Sequence, residues 1–169
     1  MSPQLKPKAL AALAALCTMT AAHAETDTSN FNVLLQITEA CDVSSTAPDD
    51  LDFGTTSLLT GNLDQTSTLT VLCTTGTTFD IGLDAGINES SVDDISTRRM
   101  TDGDSSYVGY QLYQDAGRSV AWGDTVSTNT VSSTGTGDDQ SFTVYGRVPI
   151  QTTPAAGSYT DNVTVTVTY

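Results

Sequence analysis

The chain has 169 residues, enough for one domain with a substantial core. Twenty acidic residues against six basic ones give a net charge of −14, a surface that repels nucleic acid and anionic lipid. That balance argues for solubility in a crowded or salty exterior rather than for a dedicated acidic binding patch.

Residues 1–24 read as a signal peptide. Lys6 and Lys8 supply a short positive region and "ALAALAALCTMTAA" an apolar core too short to span a bilayer comfortably. Ala22, His23 and Ala24 form a small-x-small cleavage signal that leaves Glu25 as the first mature residue. Removing these 24 of 169 residues leaves 145, with four arginines against 20 acidic residues and a net charge of −16. Every lysine, the single histidine and Cys17 leave with the signal. Cys41 and Cys73 remain, and in an oxidising exported compartment they are expected to form one disulfide.

Near the start of the mature chain lies "FNVLLQITEAC", in which Phe31, Val33, Leu35 and Ile37 alternate with other residues, predicting a strand with one apolar face. "TAPDD" is a turn-rich connector ahead of a short "LDFG". "STLTVLCT" puts Leu69, Val71 and Cys73 on one face, and "TTFDIGLD" does the same for Phe79, Ile81 and Leu83. The Thr75-Gly76 pair between them predicts a hairpin turn. "INESSVDDIST" reads as a polar loop, "YVGYQLYQD" as one longer strand, "TNTVSSTGTGDD" as a loop and "SFTVYGRVPI" as a second longer strand. "QTTPAAGSYTD" turns the chain into "DNVTVTVTY", where Val163, Val165, Val167 and Tyr169 share a face.

Several short strands at this spacing predict an all-β sandwich of immunoglobulin-like type. The chain stops inside its last strand, so the sandwich is expected to be incomplete. That would leave an apolar groove and unpaired backbone groups, which a strand from another chain can fill.

The order and spacing of these segments resemble the spore coat protein U domain family, which includes Csu-type subunits of archaic chaperone–usher pili. Cys41 follows the alternating first strand. "LDFG", "LTVLCTTGTTFDIGLDAG", "RRM", "VGYQLYQDAGRSVAWGD", "TVYGRVPIQ" and "AAGSYTDNVTVTVTY" then follow in sequence. The resemblance implies an immunoglobulin-like sandwich over residues 40–169 that lacks its last strand, preceded by a donor segment at residues 25–39. A periplasmic chaperone would lend the missing strand, and an outer-membrane usher would exchange it for the donor segment of another copy or a related subunit. Phe31, Val33, Leu35 and Ile37 match the donor residues, and Cys41 and Cys73 the family's disulfide. Val163, Val165 and Val167 are candidate liners of the acceptor groove, between the first and last body strands. The expected product is an extracellular or cell-surface fibre, exported through the periplasm and serving adhesion or biofilm formation. The alternatives are a spore or outer-coat structural protein and a carbohydrate-binding surface module.

Other motifs carry less. Arg98 and Arg99 are expected to pair with nearby carboxylates while Met100 packs at a sheet edge. Trp122 and the tyrosines are expected in the core or on strand faces rather than on a sugar platform. Asp93-Asp94, Asp102-Gly103-Asp104 and Asp138-Asp139 lack the spacing of a known calcium loop. Without histidine, lysine or a free thiol the mature chain lacks the usual general bases and activated nucleophiles. It reads as a non-enzyme, with no cofactor and no metal.

Overall fold

The structure is a computed structural model that describes residues 24–43 and 48–169. The signal-peptide residues before Ala24 lie outside the described residues. Two units are distinguished, one ending at Leu35 and the other running Gln36–Tyr169. In the first, the described residues form no strand and are exposed.

The second unit is an all-β, immunoglobulin-like sandwich with nine strands among the described residues: β1 (Cys41–Asp42), β2 (Leu63–Cys73), β3 (Thr78–Leu83), β4 (Arg99–Thr101), β5 (Tyr107–Gly109), β6 (Gln111–Tyr113), β7 (Val131–Thr134), β8 (Asp139–Val148) and β9 (Val165–Thr168). One sheet has the order β1-β2-β8-β6 and the facing one β7-β3-β9, while β4 and β5 form a separate pair. All pairings are antiparallel. The alternation of β2 and β3 sends Leu69, Val71, Cys73, Phe79, Ile81 and Leu83 into one core, joined there by Trp122, Val144 and Val148. Val144 and Val148 come from β8, whose apolar residues alternate with polar ones, as a half-buried strand requires.

Four expectations are corrected. Thr75-Gly76 does form a turn, with Gly76 at φ 87° and Thr77 N–H donating to Thr74 O at 3.0 Å. It is not a hairpin, however: β2 and β3 lie in different sheets. Alternation shows which face is buried, and two strands facing each other across a core have the same pattern as two strands side by side. The segment from Tyr107 to Asp115 is two strands rather than one, since β5 pairs with β4 and β6 with β8. Between them Tyr110 is buried, and its N–H turns to Arg98 O. The stretch read as a loop at 128–139 contains β7, an edge strand with a single partner. Lastly, strand pairing near the C-terminus starts only at Val165, although Val163 is already half-buried.

Cys41 and Cys73 are disulfide-bonded, as expected. By loop entropy a bridge closing this 32-residue separation contributes about 3–4 kcal/mol. Thr74 adds a second clasp at the same place. Its N–H donates to Ala40 O (2.9 Å) and its hydroxyl to Thr38 O (3.3 Å), while Ala40 N–H donates to Thr74 Oγ1 (3.2 Å). Residues 38–41 are thereby fixed to the end of β2.

Candidate functional site: an open strand edge over an apolar cavity

A cavity of about 610 Å³ lies between residues 48–53 on one side and β9 with its lead-in on the other. Leu51, Phe53, Leu69, Val144, Val163 and Val165 supply much of its apolar wall. Residues 48–53 are held to β2 by Asp49, whose N–H donates to Thr68 O while its carbonyl accepts from the Ser67 hydroxyl. Gly146 of β8 makes room beneath: a Cβ there would lie 2.7 Å from the Leu51 methyl carbons and 3.0 Å from the Phe53 ring. Any side chain at 146 would push this wall outward.

The opposite wall has a directional backbone. Asp84 N–H donates to Thr164 O (3.1 Å), whereas Leu83 N–H points away from β9, to Gly123 O (3.0 Å). Antiparallel strands present the groups of alternate residues to each side. Thr164 and Thr166 therefore face β3, and the N–H and C=O groups of Val163, Val165 and Val167 face the open edge. Their side chains meanwhile turn inward, where all three are half-buried against the core. Val163 and Val165 line the cavity. Val167 pairs with Ile81, one step further along β9. Among the described residues no strand pairs with β9 on that side, and an unpaired edge beside an apolar trough is what strand addition requires.

A polar knot closes the end of the cavity where β9 begins. The Asp161 carboxylate accepts from the Tyr110 hydroxyl (2.7 Å), Asn88 Nδ2 (2.8 Å) and Ile87 N–H (3.2 Å). Gly86, at φ 80°, lies so close that a Cβ there would collide with this carboxylate. Burial, and then the hydrogen bond to Asp161, push the Tyr110 phenol well above its ordinary value of 10.0. The folded state thus holds that proton more tightly than the unfolded chain does. The stabilisation is complete below about pH 10 and is lost as pH rises beyond it. Thermal melts across the alkaline range should show a steep decline that Tyr110→Phe flattens, at a cost near 1 kcal/mol at neutral pH. An unchanged decline in the variant would assign it to other groups.

The predicted donor residues are placed quite differently. Phe31, Val33, Leu35 and Ile37 are 86, 85, 86 and 75% exposed, an unusual state for four alternating apolar side chains. Sequence reasoning missed several contributors to the site: Leu51, Phe53 and Tyr110, and Arg98 beneath it. The arginines also depart from expectation. Arg98 is buried and donates to the carbonyls of Leu83, Asp84 and Trp122 rather than to a carboxylate. Arg99 donates to Asn88 O and stacks 3.8 Å over the Tyr107 ring. Met100 packs against the core and reaches the cavity. Trp122 is buried, with its indole N–H on Ile81 O at 2.8 Å, which leaves no face for a sugar.

The Spore Coat Protein U domain matches residues 27–166. The chain belongs to the Spore Coat Protein U domain family. Protein U of Myxococcus xanthus is 35% identical over 171 residues, covering 95% of each chain. Among solved structures, the fold is similar to one in the CsuC–CsuE chaperone–tip adhesion subunit pre-assembly complex from the archaic chaperone–usher Csu pili of Acinetobacter baumannii. That similarity has a TM-score of 0.55 at 20% identity over 79% of this family member, which spans 40% of the matched chain. At this identity it establishes the fold. Among the described residues, no helix is long and apolar enough to cross a membrane.

Proposed function

We propose that this chain is a structural subunit of a surface pilus, assembled through the chaperone–usher pathway by donor-strand exchange. The observation that carries the reading is a pair of complementary features. The open edge of β9 runs beside an apolar cavity, and Phe31, Val33, Leu35 and Ile37 stand exposed on an alternating segment. In this reading residues 1–24 are a signal peptide, residues 25–39 the donor and residues 40–169 an incomplete sandwich awaiting its last strand. The donor of one copy fills the trough of another. Its backbone pairs with Val163, Val165 and Val167, and its alternate side chains enter the apolar wall. Before that, a periplasmic chaperone covers the trough and an outer-membrane usher directs the exchange. Such a contact is heterologous and does not close on itself, so a fibre follows. Adhesion or biofilm formation is the role such a surface fibre would serve, with no catalytic step and no cofactor.

Deleting residues 25–38 tests this. The shortened subunit should still be recovered with its chaperone, because the trough is untouched, yet give no polymer. Fibres of normal length from the deletion, seen by electron microscopy, would sink the proposal. The family's spore-coat membership supports a second reading, a coat protein joined by the same strand exchange; a continuous layer instead of filaments in those micrographs would favour it.

A further inference from the structure

The two ends of the sandwich differ in a way that strand exchange alone does not use. At one end lie the starts of β2 and β9 and the ends of β3 and β8; at the other lie the disulfide and the end of β2. At the first end Leu58 and Ile150 are 61 and 64% exposed. They are not on loose loops. Leu59 N–H donates to Thr153 Oγ1 (2.9 Å), Gln151 N–H to Leu59 O (3.3 Å) and Ile150 N–H to Asn62 Oδ1 (3.1 Å). Leu59 itself is buried and anchors the pair of loops from below. Two large aliphatic side chains are therefore held out to solvent on a tied support, a knob rather than a frayed tip. The disulfide end carries a concave surface. A shallow hollow of about 320 Å³ is lined by Ala40, Cys41, Asp42, Leu72, Cys73, Thr74 and Gly137.

We propose that the Leu58–Ile150 knob of one copy seats in the disulfide-side hollow of the next copy along the fibre, forming a second contact that stiffens each joint. The inference rests on the donor-strand reading above. Every pairing in the sandwich is antiparallel, and an antiparallel donor beside β9 runs toward the end where β9 begins. Its last apolar residue, Ile37, then emerges at the knob. From Ile37 to Cys41 the chain spans four residues, a reach of at most about 14 Å. Because residues 38–41 are clasped to Thr74 and to the disulfide, the hollow of the donating copy is drawn to the knob of the accepting one. Knob and hollow lie at opposite ends of one copy, so the contact forms only between copies and, like the strand exchange, is head-to-tail.

The test is made on fibres of the full chain. Ile150→Asp and Leu58→Asp place charge on the knob, and Ala40→Arg fills the hollow while keeping its backbone bonds to Thr74. Each leaves donor residues and trough intact, so polymers should still assemble. Electron micrographs should show the persistence length falling by about twofold or more as buried apolar contact is lost at each joint. Combining Ile150→Asp with Ala40→Arg should recover much of the stiffness through an ion pair across the joint. Unchanged stiffness in all three single variants, with polymers present, overturns the contact and leaves strand exchange standing. Absence of polymer from the unaltered chain overturns both.

Discussion

A second copy of residues 28–38, attached after Tyr169 through a flexible linker, should convert an aggregation-prone subunit into a stable monomer. Tyr169 follows β9 directly, so the appended segment can turn back and lie antiparallel along the edge formed by Val163, Val165 and Val167. Placing Phe31, Val33, Leu35 and Ile37 against the wall of Leu51, Phe53, Leu69 and Val144 removes four exposed apolar side chains from water, worth about 1.5–3 kcal/mol each when burial is complete. Backbone bonds to the open edge add about 1 kcal/mol apiece. Fixing the segment's backbone offsets much of this, about 1–2 kcal/mol per residue. The net is a small difference between these terms, and even a gain of about 1–2 kcal/mol would be a sizeable share of a small domain's stability. Chemical denaturation of the fusion, set beside the unfused chain made without a chaperone, measures it. Val33→Asp with Leu35→Asp in the appended copy alone should abolish the gain. A fusion no more stable than the unfused chain would mean that the cavity is not a strand acceptor.

Much of this arrangement was legible in the sequence because half-buried strands write their burial as alternation. Leu69, Val71 and Cys73 in β2, and Phe79, Ile81 and Leu83 in β3, were identifiable from that period alone, and all six are buried. What alternation does not encode is the partner. The Thr75-Gly76 turn is a real turn, yet the strands it joins face each other across the core. β7 was hidden because Val131 is its only apolar residue, the rest being serine and threonine. The break at Tyr110 was hidden because an aromatic residue fits the strand pattern on either side of it. The trough was only partly visible. Val163 and Val165 came from one clear strand, but Leu51 and Phe53 come from a segment with no named strand, held by Asp49 to Thr68 and Ser67. Such walls are built by tertiary contact and leave no period behind.

Arg98 is the residue whose role the sequence concealed most fully, and its replacement should be the most damaging single change in the domain. A buried guanidinium usually implies a carboxylate partner. Here the partners are three main-chain carbonyls. Nε donates to Asp84 O and one terminal nitrogen to Trp122 O, both at 2.8 Å; the other terminal nitrogen donates to Leu83 O (2.6 Å) and to Asp84 O. Burial lowers its pKa, but an arginine remains charged at neutral pH. Two of the carbonyls, those of Leu83 and Asp84, lie where β3 ends beside β9, and the third, that of Trp122, precedes Gly123, which accepts from Leu83 N–H, so this one side chain ties the end of β3 to that segment. Arg98→Met keeps most of the volume and leaves those carbonyls without donors, at a cost of about 3–5 kcal/mol. Arg98→Lys, with a compact point charge in place of a planar fork, should lose less. Because Leu83 also lines the trough, the damage should reach the acceptor site. In the self-complemented monomer, Arg98→Met should lower the denaturation midpoint far more than Arg99→Met, whose guanidinium makes one carbonyl bond and stacks on Tyr107. Equal losses from the two would show that the carbonyl cluster is satisfied by other means and that Arg98 is an ordinary packed side chain.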